Sequence, residues 1–241
     1  MLLAVFGGAL IYSGIHIGGY FFEGSQDMQL LENVRQVYAQ ALKEQPVQAD
    51  SAADGAALPD ETAKNAFSAL SELNAEAAGW LRVPGTGIDH PFVQTGDNVY
   101  YLNHSFEGGR SSHGCMFLDY RCNADSRHLV IYGHRMKDGS MFGGLPQYEI
   151  QDYYESHPII TLNLRGTTSN WQIFSAHRTD DSLLPVQFAD DSAFDEYVQS
   201  LKGLSLYDTG ADVTSDDTVL SLSTCDGSDS ERFVVHAKKI D

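Results

Sequence analysis

The chain is poor in basic residues and in cysteine. Its 241 residues include 15 Lys and Arg against 33 Asp and Glu, which gives a formal net charge of −18. A surface this acidic repels nucleic-acid phosphates, so we expect no nucleic-acid partner. The three cysteines, Cys115, Cys122 and Cys225, form no CxxC pair, and their odd number argues against a complete disulfide framework. The sequence does not decide whether Cys115 and Cys122 form a disulfide bond.

The sequence also lacks HxxxH and comparable ligand spacings, and it therefore predicts no metal and no other cofactor. What it does contain is typical of a globular protein: 42% of the residues are hydrophobic and 20% are charged. This length is enough for one domain of ordinary size with its own core, together with additional segments.

An uncharged apolar segment opens the chain, over residues 2–22. As a helix it would span about 31 Å, close to the roughly 30 Å of a hydrocarbon core. It ends in Tyr20, Phe21 and Phe22, as an interfacial belt would, and no small-residue cleavage motif follows. We therefore expect residues 1–25 to be an uncleaved, single-pass membrane anchor. The segment has no basic flank from which its orientation could be taken.

Two helices and a linker are predicted next. Helical spacing of apolar residues covers 26–45, and an Ala-, Asp- and Pro-rich stretch follows, so 26–59 is assigned as helix and linker. A second helix is expected over about 60–77, with Gly79 ending it. Residues 60–241 are assigned as the main domain.

From Trp80 onward the pattern changes to short β-rich runs separated by turn residues. The runs cover 80–83, 88–94, 115–118, 128–133, 159–164, 171–177, 218–224 and 232–240. Helical patches are expected only at about 139–155 and 190–202. This pattern predicts a mostly β fold, an antiparallel-dominated barrel or sandwich with peripheral helices.

Three side chains that are suited to acid–base or nucleophilic chemistry lie at the ends of predicted strands: His134, Cys225 and Arg232. A thiolate can attack a carbonyl, an imidazolium can lower the thiol pKa and protonate a leaving amine, and an arginine can hold an oxyanion. Taken one at a time, each has an ordinary explanation, such as packing for the cysteine or an ion pair of the arginine with Asp229 or Glu231.

Several motifs together resemble the sortases, in particular class B. They are SLSTC ending at Cys225, Arg232 on the following run, YGH at 132–134 with MKDGSMFGGLPQY after it, and WLRVPGTGIDHPFVQTGDNVYYL at 80–102. The resemblance implies an eight-stranded sortase barrel in which Cys225, His134 and Arg232 are catalytic. It also maps family substrate contacts onto Asn98, Leu102, Thr179 and Ser223.

The same resemblance implies the reaction and its partners. A secreted surface protein would be cleaved after the Thr of an Asn-Pro-x-Thr-like C-terminal sorting signal, through a thioacyl intermediate. An amine, from a peptidoglycan precursor or a pilin lysine, would then accept the protein. The enzyme would be located at the cell membrane, with its catalytic domain extracellular.

Two alternatives remain. Ser112-His113-Gly114-Cys115 resembles the motif of L,D-transpeptidases, which would make Cys115 the nucleophile, although Met116 and the residues after it depart from that family's pattern. Because Cys115 opens an apolar run, a buried structural thiol is favoured there. The other alternative is a non-enzymatic surface-binding module. The reactivity of Cys225 and Cys115 toward an alkylating agent would distinguish the three.

Overall fold

A closed barrel of eight strands forms the centre of the protein. The computed structural model describes residues 24–43, 60–123, 125–180, 183–225 and 231–241. The strands are β1 (Ala77–Arg82), β2 (Asp89–Val93), β3 (Met116–Leu118), β4 (His128–His134), β5 (Ile159–Leu164), β6 (Thr167–Thr179), β7 (Val219–Cys225) and β8 (Arg232–Lys239). Each coincides with one of the eight predicted runs, and the predicted barrel is confirmed.

Around the barrel the strands follow the order β1-β2-β3-β4-β7-β8-β6-β5. Six neighbouring pairs are antiparallel, while β2/β3 and β4/β7 are parallel. A parallel pair needs a crossover connection. Between β4 and β7 that crossover contains β5, β6 and two helices, and it brings the carboxyl ends of β4 and β7 to the same edge.

The two faces of β7 have different surroundings. Leu220 and Leu222 are fully buried in the main core, whereas Val219 packs in a second cluster with Phe194 and Val198. Successive side chains of a strand point to opposite faces, so one face of β7 looks into the barrel. The other face is covered by the helix that carries Phe194.

Helices surround the barrel. They are α1 (residues 24–43), α2 (Asp60–Leu73), α3 (Gln151–Ser156) and α4 (Asp191–Leu204), with short 3₁₀ turns at Tyr100–Leu102 and Leu145–Glu149. The predicted patch at 190–202 matches α4, which begins where the Asp190 carboxylate accepts a hydrogen bond from Ala193 N at 2.9 Å. The helical patch predicted at about 139–155 is shorter in the structure, where it consists of the 3₁₀ turn Leu145–Glu149 and α3.

The predicted second helix ends earlier than expected. α2 stops at Leu73, and Gly79 lies inside β1 instead of capping a helix. A Cβ at Gly79, where φ is +157°, would lie 1.8 Å from the Asn163 carbonyl oxygen of β5. Glycine is therefore needed because two barrel strands approach closely there, and the sequence signal was misassigned.

Helix α1 packs against the barrel. Its Tyr38 ring stacks on Trp80 of β1, with centroids 4.2 Å apart and planes within 5°. Asn163 Nδ2 donates to the Tyr38 hydroxyl at 3.2 Å and to Ala63 O of α2 at 3.1 Å. Both helices are thus tied to the same side of the barrel.

Within the described ranges, the structure has no helix with the length and apolar character of a membrane span. All of the predicted anchor except residues 24 and 25 lies outside those ranges, and so does most of the predicted linker.

Candidate active site

Four adjacent strands bring the predicted site residues into one row at an edge of the barrel. The parallel β4/β7 ladder runs from His128↔Val219 to His134↔Cys225, so these two candidates end neighbouring strands. The β7/β8 ladder ends at Ser223↔Val234, and the same register continued by two residues sets Cys225 opposite Arg232. Arg232 in turn pairs with Thr179 of β6. Directly paired residues share a face of the sheet.

The His134 ring is held by a backbone carbonyl. Its Nε2 lies 2.6 Å from Leu102 O. A carbonyl only accepts, so Nε2 carries a proton in this contact, and Nδ1 is the other nitrogen of the ring. Leu102, predicted as a substrate contact, contributes its main chain to this site.

The chain near His134 depends on two glycines. A Cβ at Gly133 would lie 2.8 Å from Cδ2 of Phe142, which packs beneath the strand end. A Cβ at Gly114, where φ is +61°, would lie 2.8 Å from Leu102 O and 3.1 Å from Cδ2 of His134. Both motifs singled out in the sequence, YGH and SHGC, therefore meet at the His134 ring.

Arg232 is fixed by the threonine of the SLSTC motif. Its Nη1 donates to Thr224 O at 2.9 Å, and Thr224 Oγ1 accepts from Phe233 N at 2.9 Å. Glu231 instead pairs with Arg178, at 2.8 Å. The alternative in which Arg232 pairs with Glu231 is therefore not favoured, and Asp229 lies outside the described residues.

Asn98 belongs to a polar network beside the row. Its Nδ2 donates to Asp119 Oδ2 at 3.0 Å, and its Oδ1 accepts from Tyr120 N at 3.0 Å. Arg121 binds both carboxylate oxygens of Asp119, at 2.9 and 2.7 Å, and also donates to Leu184 O at 2.9 Å. The network thus ties the β6–β7 connection to the end of β3.

The Asp119 side chain is fully buried. Burial by itself raises its pKa, but hydrogen bonds from Arg121 and Asn98 outweigh this and bring the pKa below its usual range. Sequence reasoning missed Asp119 and Arg121. The available signal was a carboxylate and a guanidinium two residues apart at the end of an apolar run.

Ser223, two residues before Cys225, is completely buried between Tyr132 and Val234 in the ladders. Within the described part of the chain its hydroxyl has no hydrogen-bond partner. It is therefore not exposed at the surface in this structure.

A buried chain of hydrogen bonds crosses the strands β4, β7 and β8. His128 Nδ1 lies 2.6 Å from Pro185 O, His128 Nε2 lies 2.6 Å from Ser221 Oγ, and Ser221 Oγ lies 2.6 Å from His236 Nδ1. The Pro185 carbonyl requires a proton on His128 Nδ1, so a neutral His128 accepts from Ser221, and Ser221 accepts from His236. Burial lowers the pKa of His128 to about 4 and that of His236 well below its usual value.

The other two cysteines are interior thiols. Cys115 and Cys122 are buried and are not bonded to each other, which answers the question left open by the sequence. Burial raises the pKa of Cys115 far above its usual value and that of Cys122 to about 11. Neither is a thiolate near neutral pH, and this argues against Cys115 as a nucleophile. Among the described residues, no three His, Cys, Asp or Glu side chains are grouped as a metal site would require.

Comparison with known proteins agrees with this architecture. A sortase-domain family model matches residues 81–240. Sortase B of Listeria monocytogenes is 30% identical over 223 residues, which cover 91% of this chain and 86% of that protein.

Solved structures superpose over nearly the whole chain. A Staphylococcus aureus sortase B–substrate complex has a TM-score of 0.80 at 27% identity, covering 91% of this chain and 99% of that one. Sortase B from B. anthracis in complex with AAEK1 has a TM-score of 0.79 at 29% identity, covering 92% and 99%. The chain therefore belongs to the sortase family of cysteine transpeptidases, and within that family to class B.

Proposed function

We propose that Cys225 is the nucleophile of this transpeptidase, His134 its acid and base, and Arg232 the cation that stabilises the oxyanion. The observation that supports this most is the register of β4 and β7, whose parallel ladder ends on the pair His134↔Cys225. Arg232, the first residue of β8, is held beside it through Thr224 O. A thiol, an imidazole and a guanidinium on three neighbouring strand ends suit acyl transfer from an amide.

In the first step the Cys225 thiolate attacks the carbonyl carbon of the signal's Thr. As the tetrahedral intermediate collapses, the carbon–nitrogen bond breaks, and the leaving amine takes a proton from His134. In the second step an acceptor amine attacks the thioacyl carbonyl and gives its proton to His134, and the thiolate leaves. With Nε2 engaged by Leu102 O, Nδ1 is the ring nitrogen that exchanges the proton.

Arg232 would act on the charge that develops on the carbonyl oxygen. A guanidinium stays cationic at any working pH and presents five donors in a planar fork. The contact from Nη1 to Thr224 O orients that fork at the start of β8. A donor fixed in advance stabilises the intermediate without reorganising during the reaction.

The substrate we propose is a secreted surface protein with an Asn-Pro-x-Thr-like C-terminal signal. The network of Asn98, Asp119 and Arg121 holds the β6–β7 connection against the end of β3, and we assign it as one wall of the substrate groove. Next to it, Val99 and Leu183 are exposed apolar side chains, 65% and 55% accessible, and could receive the apolar part of the signal. The superposed S. aureus structure is a substrate complex, which supports substrate binding by this fold.

As contacts to the signal we retain Asn98, Leu102 and Thr179, whereas Ser223, the fourth predicted contact, is buried and presents no surface to a bound peptide in this structure. The acceptor is an amine of a peptidoglycan precursor or a pilin lysine. Residues 1–25 would anchor the enzyme in the cell membrane with the barrel outside.

A cleavage assay tests this function directly. A panel of peptides carrying Asn-Pro-x-Thr-Asn and related signals is incubated with the enzyme, with and without an added amine, and products are identified by mass spectrometry. We expect cleavage after Thr and amine-dependent transfer. Cys225→Ala should abolish both, while Cys115→Ala, the matched thiol control, should retain most activity. A Cys225→Ala enzyme that cleaves near the wild-type rate would refute the proposal.

A further inference from the structure

The SHGC motif, which the proposed catalytic reaction does not use, has a place in the structure. His113 is buried, with 4% of its side chain exposed, and it lies between two carboxylates. Its Nδ1 is 3.3 Å from Asp27 Oδ2 of α1, and its Nε2 is 3.3 Å from Asp138 Oδ2. Ser112 Oγ lies 3.4 Å from the same Nδ1. Carboxylates only accept hydrogen bonds, so His113 Nε2 donates to Asp138, while Nδ1 lies at ion-pair distance from Asp27.

Each carboxylate is held by a second contact. Asp27 Oδ2 accepts from Ser111 Oγ at 2.6 Å, and Ser111 Oγ accepts from the backbone nitrogens of His113 and Gly114 at 3.1 Å each. Asp138 Oδ1 accepts from both Ser140 N and Ser140 Oγ. The carboxylates of Asp27 and Asp138 therefore have fixed positions, and each lies next to a different nitrogen of the His113 ring.

The two carboxylates belong to elements that are distant in the sequence. Asp27 lies in α1, directly after the predicted membrane segment. Asp138 lies in the turn that follows β4, and this turn is bonded back to the catalytic candidate through Phe142 N and His134 O at 2.9 Å. His113 thus joins the membrane-proximal helix to the turn after His134.

The residue after His113 lies close to the His134 ring. A Cβ at Gly114 would lie 2.6 Å from Tyr101 O, 2.8 Å from Leu102 O and 3.1 Å from Cδ2 of His134, so no side chain fits between them. Cys115 N donates to Tyr101 O at 2.9 Å, which keeps the 101–102 chain in register with this segment. A shift of His113 would therefore move Leu102 O, the acceptor that orients His134 Nε2.

We propose that Asp27 and His113 are positioning residues for His134, so that helix α1 is part of the catalytic apparatus and not a spacer between membrane and barrel. The proposal rests on the proposed function of His134. Misplacement of a catalytic group by about 1 Å can cost about 100-fold in rate. Removing the clamp, which is formed by Asp27, His113 and Asp138, should therefore lower kcat by about 10- to 100-fold. KM for the signal peptide should change less than kcat, because the proposed groove wall of Asn98, Asp119 and Arg121 is formed by other segments and only Leu102 is both a proposed peptide contact and a neighbour of His113.

The test uses the full chain in detergent, and Asp27→Ala is the main variant. The matched control is Tyr38→Phe, which removes one hydrogen bond from the same helix, to Asn163, and keeps the stacking on Trp80. Two readouts are taken: kcat and KM for a cleaved signal peptide, and the pH dependence of the rate at which iodoacetamide alkylates Cys225. The second needs no substrate, and it reports the thiol's ionisation beside His134.

We expect Asp27→Ala to lower kcat and shift the alkylation profile, while Tyr38→Phe changes neither. If Asp27→Ala lowers Tm strongly, Asp27→Asn, which keeps the shape and an acceptor oxygen, replaces it. Combining Asp27→Ala with His113→Ala should add little to the loss, since the two residues act as one unit.

His134→Ala is assayed in parallel to separate the two proposals. If His134→Ala loses activity while Asp27→Ala keeps the wild-type kcat and alkylation profile, the clamp proposal is overturned and the proposed function stands. Wild-type activity in His134→Ala overturns the proposed function and the clamp with it.

Discussion

Acid should destabilise this protein through histidines that are buried without charge, and His128 allows the effect to be measured. Its pKa is lowered from about 6.5 to about 4 because the ring is completely buried, and this outweighs the hydrogen bond to Pro185 O, which acts in the opposite direction. The unfolded chain therefore binds a proton below about pH 6.5, and the folded chain does not until about pH 4. Stability from this group is present above pH 6.5 and falls as the pH is lowered towards 4.

The magnitude follows from the two pKa values. Between pH 7.5 and pH 5 the linkage relation gives a loss of about 2 kcal/mol in the free energy of unfolding from His128 alone. His90, also lowered to about 4 mainly by burial, and His236 act in the same direction. Most carboxylates titrate below this window, so the histidines dominate within it.

The assay is urea unfolding of wild type and His128→Asn at pH 7.5 and pH 5. The variant should be less stable at pH 7.5, yet its loss between the two pH values should be smaller than the wild-type loss by about 2 kcal/mol. Ser221→Ala is the control, because it breaks the hydrogen bond and leaves the buried imidazole in place, and its loss should match the wild type. An equal loss in His128→Asn and wild type would refute the reasoning.

Three further outcomes are expected. Arg232→Lys and Arg232→Ala should both lower kcat/KM in peptide assays, by about 10²- to 10³-fold, and the loss should be larger for Ala. Tm should be nearly unchanged in both variants. Normal turnover would show that Arg232 does not belong to the site. Gly79→Ala should cost about 3 kcal/mol or more in urea unfolding, because its Cβ would meet Asn163 O at 1.8 Å. Gly87→Ala, with nothing within 4 Å, should stay within about 0.5 kcal/mol. Deleting residues 1–23 should release the enzyme from membranes and leave peptide cleavage intact, and a folded but inactive product would contradict this.

Much of the fold could be predicted because its signals are local. Eight short apolar runs separated by turn residues gave eight strands, and the SLSTC and YGH motifs identified which strand ends carry a thiol and an imidazole. The misassignment of Gly79 was also local in origin. A glycine after a helical pattern resembles a cap, and only the approach of Asn163 O explains why this one is needed.

The arrangement of the site was not predictable in the same way. The parallel pairing of β4 with β7 joins His134 to Cys225 across a crossover that contains two other strands and two helices. The carbonyl of Leu102, which orients His134, belongs to a backbone whose sequence carries no sign of this role. Asp119 and Arg121 were assigned no role from the sequence, and only the positions of Asn98 and Leu184 beside them reveal the network that they form.

The sequence by itself determined the strands, the fold family and the chemical groups at the strand ends, because patterning and motifs depend on neighbours along the chain. Only the tertiary structure decided which distant segments support those groups. Asp27 and Ser111 are 84 positions apart, yet they share a hydrogen bond of 2.6 Å that helps fix the chain at His134. Such contacts depend on barrel closure and on the burial of polar groups that must then find partners, and neither is encoded within any one stretch of sequence.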